Sequence, residues 1–334
     1  MKLLAQDLTQ HSVINDVGET IQHVFDADMI HSINAALTIK RPLLVWGEPG
    51  IGKSQLARAA AQALNRVFIP FVADAHTESH DLLWEFDAVA RLAEAQIQSA
   101  ENHDRVTLAM DRFIVPGPLW WAFDWKKASD LISQTSDNEH QICHRKAPAI
   151  QAGCAVENGA VVLIDEIDKA GSDVPNGLLE ALGSSRFHPQ GVDEAVECNG
   201  VPPLIIITTN EERSLPDAFQ RRCLSLHLKF PKAEKQQAFL ASRAKISFPK
   251  LGEKKYKELD NQSILEAAAE MLKKDREYAL QHRLYPLPGQ AEYFDLLRGI
   301  QRLSQETKQD PVELMQQLRT YVYQKHPGFH RSQD

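Results

Sequence analysis

The sequence predicts an α/β fold: a parallel sheet flanked by helices. Three observations predict it. Residues 43–54 (LLVWGEPGIGKS) join a short apolar run to a glycine-rich loop that ends in Lys-Ser. Residues 160–166 (AVVLIDE) are a wholly apolar run closed by two adjacent carboxylates, and residues 201–210 (VPPLIIITTN) are a third run closed by a polar side chain. Short buried strands separated by helical patterns need crossover connections, so the sheet is parallel and covered on both faces.

The loop after the first run fits the phosphate-binding pattern G-x-x-x-x-G-K-[ST], and the alanine-rich stretch Gln55 to Leu64 supplies the helix such a loop opens. Glycines let backbone N–H groups turn inward around phosphates, and the helix presents its positive end to them. The nucleotide-binding set is therefore Gly47, Glu48, Pro49, Gly50, Ile51, Gly52, Lys53, Ser54 and Gln55. Lys53 is expected to reach the β- and γ-phosphates of ATP, and the Ser54 hydroxyl to ligate Mg²⁺.

Taken in order, residues 1–41 read as an N-terminal helical entry, with Met29, Ile30, Ile33 and Leu37 at helical spacing. Arg66 to Val72 is a second strand, short and rich in β-branched and aromatic residues. Residues 81–98 have a helical pattern. Pro116-Gly117-Pro118 then forces a turn, behind which Trp120, Trp121, Phe123 and Trp125 crowd together. Such a cluster suits either a core or a protruding loop that grips a partner or lines a pore. Residues 126–152 are polar and read as a solvated loop.

The carboxylates that close the run at 160–166 have distinct expected roles. A buried parallel strand ends at its carboxyl edge beside the phosphates, so Asp165 is placed to hold Mg²⁺, and Glu166 to orient and deprotonate the attacking water. Asn210, at the end of the third run, is expected between the two earlier strand ends, where it bonds the water or the γ-phosphate. Arg221 and Arg222 follow the turn-like segment Leu215 to Phe219, and a fixed guanidinium stabilises charge on a transferring phosphoryl group.

Composition bounds the rest. The chain has 334 residues, 43% hydrophobic and 25% charged, an ordinary globular composition with room for two domains. A net charge of −8 argues against non-specific nucleic-acid binding as the main activity. No apolar run is long enough for a membrane span or a signal peptide, so a cytoplasmic location is expected. The four cysteines form no C-x-x-C pair, and His140, Cys143 and His144 have no second pair at ligand spacing, so zinc is not expected.

Together the motifs resemble those of an AAA+ ATPase, and specifically the MoxR family. GEPGIGKS is similar to Walker A, VVLIDEIDKA (161–170) to Walker B, and ITTNEERSLPDAFQRRC (207–223) to sensor 1 followed by the arginine-finger turn. The F-x-x-PGPLWWAF stretch resembles the insertion before Walker B, and LLEALGSSRF (178–187) the lead into the pre-sensor hairpin. The resemblance implies an AAA+ P-loop domain over 1–240, a helical lid over 241–325 and a polar tail over 326–334. It implies Mg²⁺-dependent ATP hydrolysis in a ring, commonly a homo-hexamer, with Arg221 or Arg222 entering the neighbour's site. It further implies chaperone-like remodelling or maturation of a protein client, of the kind MoxR-like proteins perform with von Willebrand factor A domain partners. A nucleic-acid-directed motor of a restriction or anti-phage defence complex is the alternative. In the lid, Ile264 to Leu272 and Pro311 to Tyr323 read as helices. Leu287 stands near the expected basic sensor 2 residue, leaving Arg283, Arg298 or no contact in that role.

Overall fold

The computed structural model describes residues 2–14, 20–101, 110–136, 146–248, 251 and 261–329. The chain forms two compact units: residues 1–13, 25–46 and 54–227 make the first, and residues 14–24, 47–53 and 228–334 the second.

Ahead of the phosphate-binding loop lie β1 (Gln10–Ile14), β2 (Thr20–Val24), α1 (Ala27–Ile39) and β3 (Leu43–Gly47). The predicted helical entry is thus α1 alone, since two strands precede it. Then follow α2 (Lys53–Leu64), β4 (Val67–Val72), β5 (Trp84–Phe86), α3 (Ala88–Glu101), β6 (Ile114–Pro116), α4 (Pro118–Phe123) and α5 (Trp125–Ser136). The helix read over 81–98 therefore starts late. Residues 84–86 instead pair antiparallel with β6, Trp84 opposite Pro116, because Trp-Glu-Phe alternates on a strand period. The loop read over 126–152 is helical as far as Ser136, with Ala128 fully buried and Leu131 and Ile132 packed on the core. His140, Cys143 and His144 lie outside the described residues.

The first unit continues with β7 (Ala160–Asp165), α6 (Asp173–Gly177), α7 (Leu179–Ser184), β8 (Arg186–Phe187), β9 (Val196–Glu197), β10 (Leu204–Thr209), α8 (Asp217–Gln220) and β11 (Leu224–Leu228). Its sheet has five strands in the order β11-β3-β10-β7-β4. β10 runs parallel to both neighbours, Ile206 facing Leu43 on one side and Leu163 on the other, and β4 runs parallel to β7. β7 and β10 read as unbroken apolar runs because they lie inside the sheet with both faces covered, and every residue of β10 is buried. The order brings the carboxyl end of β10 between those of β3 and β7, which is where a ligand binds in an open α/β sheet.

The aromatic cluster is core, not a protruding loop. Trp120, Trp121 and Phe123 of α4 are at most 4% exposed, and Trp120 meets Phe187 edge-on with centroids 5.9 Å apart.

The second unit is built from α9 (Ala233–Ser247), α10 (Asn261–His282), α11 (Gln290–Thr307) and α12 (Pro311–Val322) around Leu240, Leu265, Leu272, Leu296 and Ile300. Two buried phenols find carbonyl partners within it: Tyr293 Oη donates to Leu265 O at 2.9 Å and Tyr323 Oη to Ala268 O at 3.3 Å. Burial raises both phenol pKa values above the ordinary range. Residues 327–329, expected in the polar tail, form a short 3-10 turn whose Phe329 is buried beside Tyr278. No helix among the described residues is long and apolar enough to cross a membrane.

Candidate functional site

Four of the residues singled out by sequence are linked in the first unit. Asp165 ends β7, and both of its carboxylate oxygens accept from Ser54 Oγ, at 3.0 and 2.8 Å. A hydroxyl and a carboxylate converging this closely are hard oxygen donors, so the pair suits Mg²⁺. Asp165 also accepts from Thr208 Oγ1, and that same hydroxyl accepts the Glu166 N–H at 2.9 Å. Thr208 thereby fixes the side chain of one carboxylate and the backbone of the next.

Glu166 lies in the left-handed backbone region, φ 57° and ψ 46°, which is uncommon for a residue with a side chain. The turn swings its carboxylate off the strand line. Oε1 accepts from Asn210 Nδ2 at 3.1 Å, and Oε2 pairs with Lys169 Nζ. The hydrogen bond and the charge of Glu166 raise the Lys169 pKa. Asn210 is held in turn by Asp168, which is 2% exposed: its carboxylate takes the Asn210 N–H at 3.3 Å and the Glu212 N–H at 3.0 Å.

The predicted arginines lie apart from this network. Both are exposed. Arg222 Nη1 donates to Ala218 O, closing the turn of α8, and the Arg221 carbonyl accepts from Arg41.

In the second unit the phosphate-binding loop is braced by the helices. Gly47, Gly50 and Gly52 have φ of 154°, 76° and 100°. A Cβ at Gly47 would meet Leu228 O at 2.6 Å, and one at Gly50 would meet the Ala291 Cβ at 3.0 Å, so glycine is required by conformation and space alike. Gly50 O accepts from Ala291 N at 3.1 Å. Lys53 is buried, and its Nζ donates to the carbonyls of Gly47 and Glu48 at 2.6 and 3.1 Å, which keeps the ammonium within the loop. Glu48, Pro49 and Gly50 are exposed at the turn while Ile51 is buried, and Gln55 is half-buried in the first turn of α2. Glu48 accepts from Arg276 Nη2 at 2.5 Å. Of the two candidates for sensor 2, Arg298 Nη1 bonds Asp295 within its own helix and Arg283 is exposed. Arg276, on α10, does touch the loop.

Sequence reasoning passed over Thr208, Asp168, Lys169 and Arg276. The first three had a signal: a hydroxyl one position inside the strand end, and a second acid with its neighbouring lysine in Asp165-Glu166-Ile167-Asp168-Lys169. Arg276 had none, for 228 residues separate it from Glu48.

Among solved structures, three point mutants of RuvB from Thermotoga maritima are similar at 15% identity, with TM-scores of 0.46, 0.42 and 0.43. The alignments span 86–87% of this chain and 67–68% of theirs. No curated protein matches the chain. A model of the AAA domain, dynein-related subfamily, matches residues 42–223, a span that holds the phosphate-binding loop, both carboxylates, Asn210 and both arginines. That span is more than half of the chain, and the chain belongs to this AAA domain family.

Proposed function

We propose that this chain is an ATP-hydrolysing motor that works in a MoxR-like ring and remodels a protein client. The observation that carries the ATPase reading is Glu166, an acid held by Asn210 and Lys169 immediately after Asp165. In this reading the loop amides and Lys53 bind the phosphates. The Glu166 carboxylate takes the proton of the attacking water, and Asn210 keeps that carboxylate in line. Lys169 shares the carboxylate, and the attacking water has to take its place there. Ser54 and Asp165 would hold the Mg²⁺ that accompanies ATP, which supplies charge neutralisation at the phosphates. Arg221 or Arg222, exposed after α8, completes the site of a neighbouring subunit.

The first test uses two variants. Glu166→Gln should keep Mg-ATP binding and lose turnover by about a hundredfold or more, while Lys53→Ala should lose binding. Wild-type turnover in Glu166→Gln would remove Glu166 from the role of base. The client reading is tested by capture from native lysate on ATP-loaded Glu166→Gln, with Lys53→Ala as control. A protein held only by the ATP-bound variant supports remodelling; nuclease-sensitive nucleic acid in its place would turn the assignment to a nucleic-acid motor.

A further inference from the structure

We infer that Arg276 is a positioning residue for the nucleotide: it cancels the charge of Glu48, the one acidic residue of the phosphate-binding loop, and ties that loop to the helices of the same unit. The inference rests on the ATP-binding reading of residues 47–54.

Glu48 poses an electrostatic problem in its setting. A loop that must receive a polyphosphate carries a carboxylate, and like charges at close range oppose binding. Arg276 answers it. Arg276 is 5% exposed; its guanidinium donates through Nη2 to Glu48 Oε2 at 2.5 Å and through Nη1 to Pro288 O at 2.9 Å, and lies 4.6 Å from the Phe230 ring centroid. The Glu48 side chain is half-exposed. A cation this buried demands a counter-charge, and its counter-charge belongs to the loop.

The second Arg276 bond extends the brace. Pro288 leads into Gly289 and α11, and the Ala291 N–H at the start of that helix donates to Gly50 O at 3.1 Å. One guanidinium therefore fixes Glu48 directly and the segment that holds Gly50 indirectly. The neighbouring Asp275, 2% exposed, anchors the same turn of α10 through two bonds from Arg319, at 2.8 and 2.6 Å, and one from Gln324 at 3.1 Å. Arg276 accordingly projects from a fixed platform.

A side chain that only supported the fold would act whatever the charge at position 48. A side chain that neutralises Glu48 becomes dispensable once that charge is gone. Mg-ADP affinity, measured by titration calorimetry, should fall about tenfold in Arg276→Met and return to within about threefold of Glu48→Gln when the two changes are combined. An Arg276→Met protein that binds like wild type overturns the proposal, as does a double variant as weak as the single one.

Should Arg276→Met fail to give a cooperative thermal transition, the half-exposed Glu48→Gln change carries the test alone, by hydrogen exchange on nucleotide-free protein. Exchange in peptides covering 47–54 and 288–292 should quicken by about tenfold, and unchanged exchange overturns the brace. Wild-type protein that ignores Mg-ADP sinks the ATP-binding reading instead, and the exchange measurement still reads the brace.

Discussion

Thr208 joins the two carboxylates more closely than any residue the motifs single out. Thr208 is wholly buried, and its hydroxyl donates a hydrogen bond to Asp165 and accepts one from the Glu166 N–H, so it sets how one side chain and the next backbone turn relate. Thr208→Val keeps the shape and removes both bonds. It should cost about 1–3 kcal/mol in denaturant unfolding and lower ATP turnover by about tenfold or more, with Thr208→Ser restoring most of both. Retained turnover in the valine variant would show that the Glu166 turn is fixed by other contacts. Cys223 illustrates burial at the same scale: desolvation pushes its thiol up to about 12. The folded state therefore holds the proton more tightly than the unfolded chain, and the thiolate stays negligible at pH 7–9, becoming appreciable only toward pH 12. Alkylation by iodoacetamide at pH 8 should spare Cys223 in the native protein and reach it on denaturation; fast native labelling would mean that the α8–β11 turn opens.

At the scale of elements, the aromatic helix α4 makes the sharpest stability prediction. Trp120 is 1% exposed between the sheet and Phe187, and truncation to alanine leaves a cavity that the sheet cannot collapse to fill. Trp120→Ala should cost about 3–5 kcal/mol, read from the shift of the urea midpoint; a loss under about 1 kcal/mol would place the ring outside the cooperative core. Which elements were legible in the sequence follows from how each is buried. β3, β7 and β10 announce themselves because central strands of a parallel sheet are apolar on both faces, and the loop after β3 because few sequences satisfy phosphates with backbone alone. The site was legible as far as its strand ends carry it: Ser54, Asp165, Glu166 and Asn210 are brought together by strand order. The helix α5 was missed because charged and polar residues mask a narrow stripe of Ala128, Leu131 and Ile132. β5 and β6 were missed because three-residue strands carry too little periodicity to separate from a helix start. Arg276 and Glu48 illustrate the remaining limit, since a contact across 228 residues leaves no local pattern.

For the whole molecule, the proposed ring makes a quantitative prediction about mixing. Arg221 and Arg222 are exposed, and their hydrogen bonds run outside the Ser54–Asp165–Glu166–Asn210 network; in the proposed ring one of them serves a neighbour. An arginine variant then keeps its own loop and carboxylates but denies its guanidinium to the next subunit. Lys53→Ala has the opposite lesion, an empty loop with both arginines in place. In rings assembled at random from equal amounts of the two, half of the subunits have an intact nucleotide site, and half of those receive an arginine from a Lys53→Ala neighbour. Turnover per subunit should thus rise from near zero for either protein alone to about a quarter of wild type on mixing. The position whose alanine variant shows this gain is the finger, and the other should change turnover by less than about threefold. Dilution should lower specific activity as rings come apart. An arginine that acts within its own subunit gives a mixture no more active than the mean of its parts, and that result for both positions would remove the shared site from the proposal while leaving the roles of Lys53 and Glu166 intact.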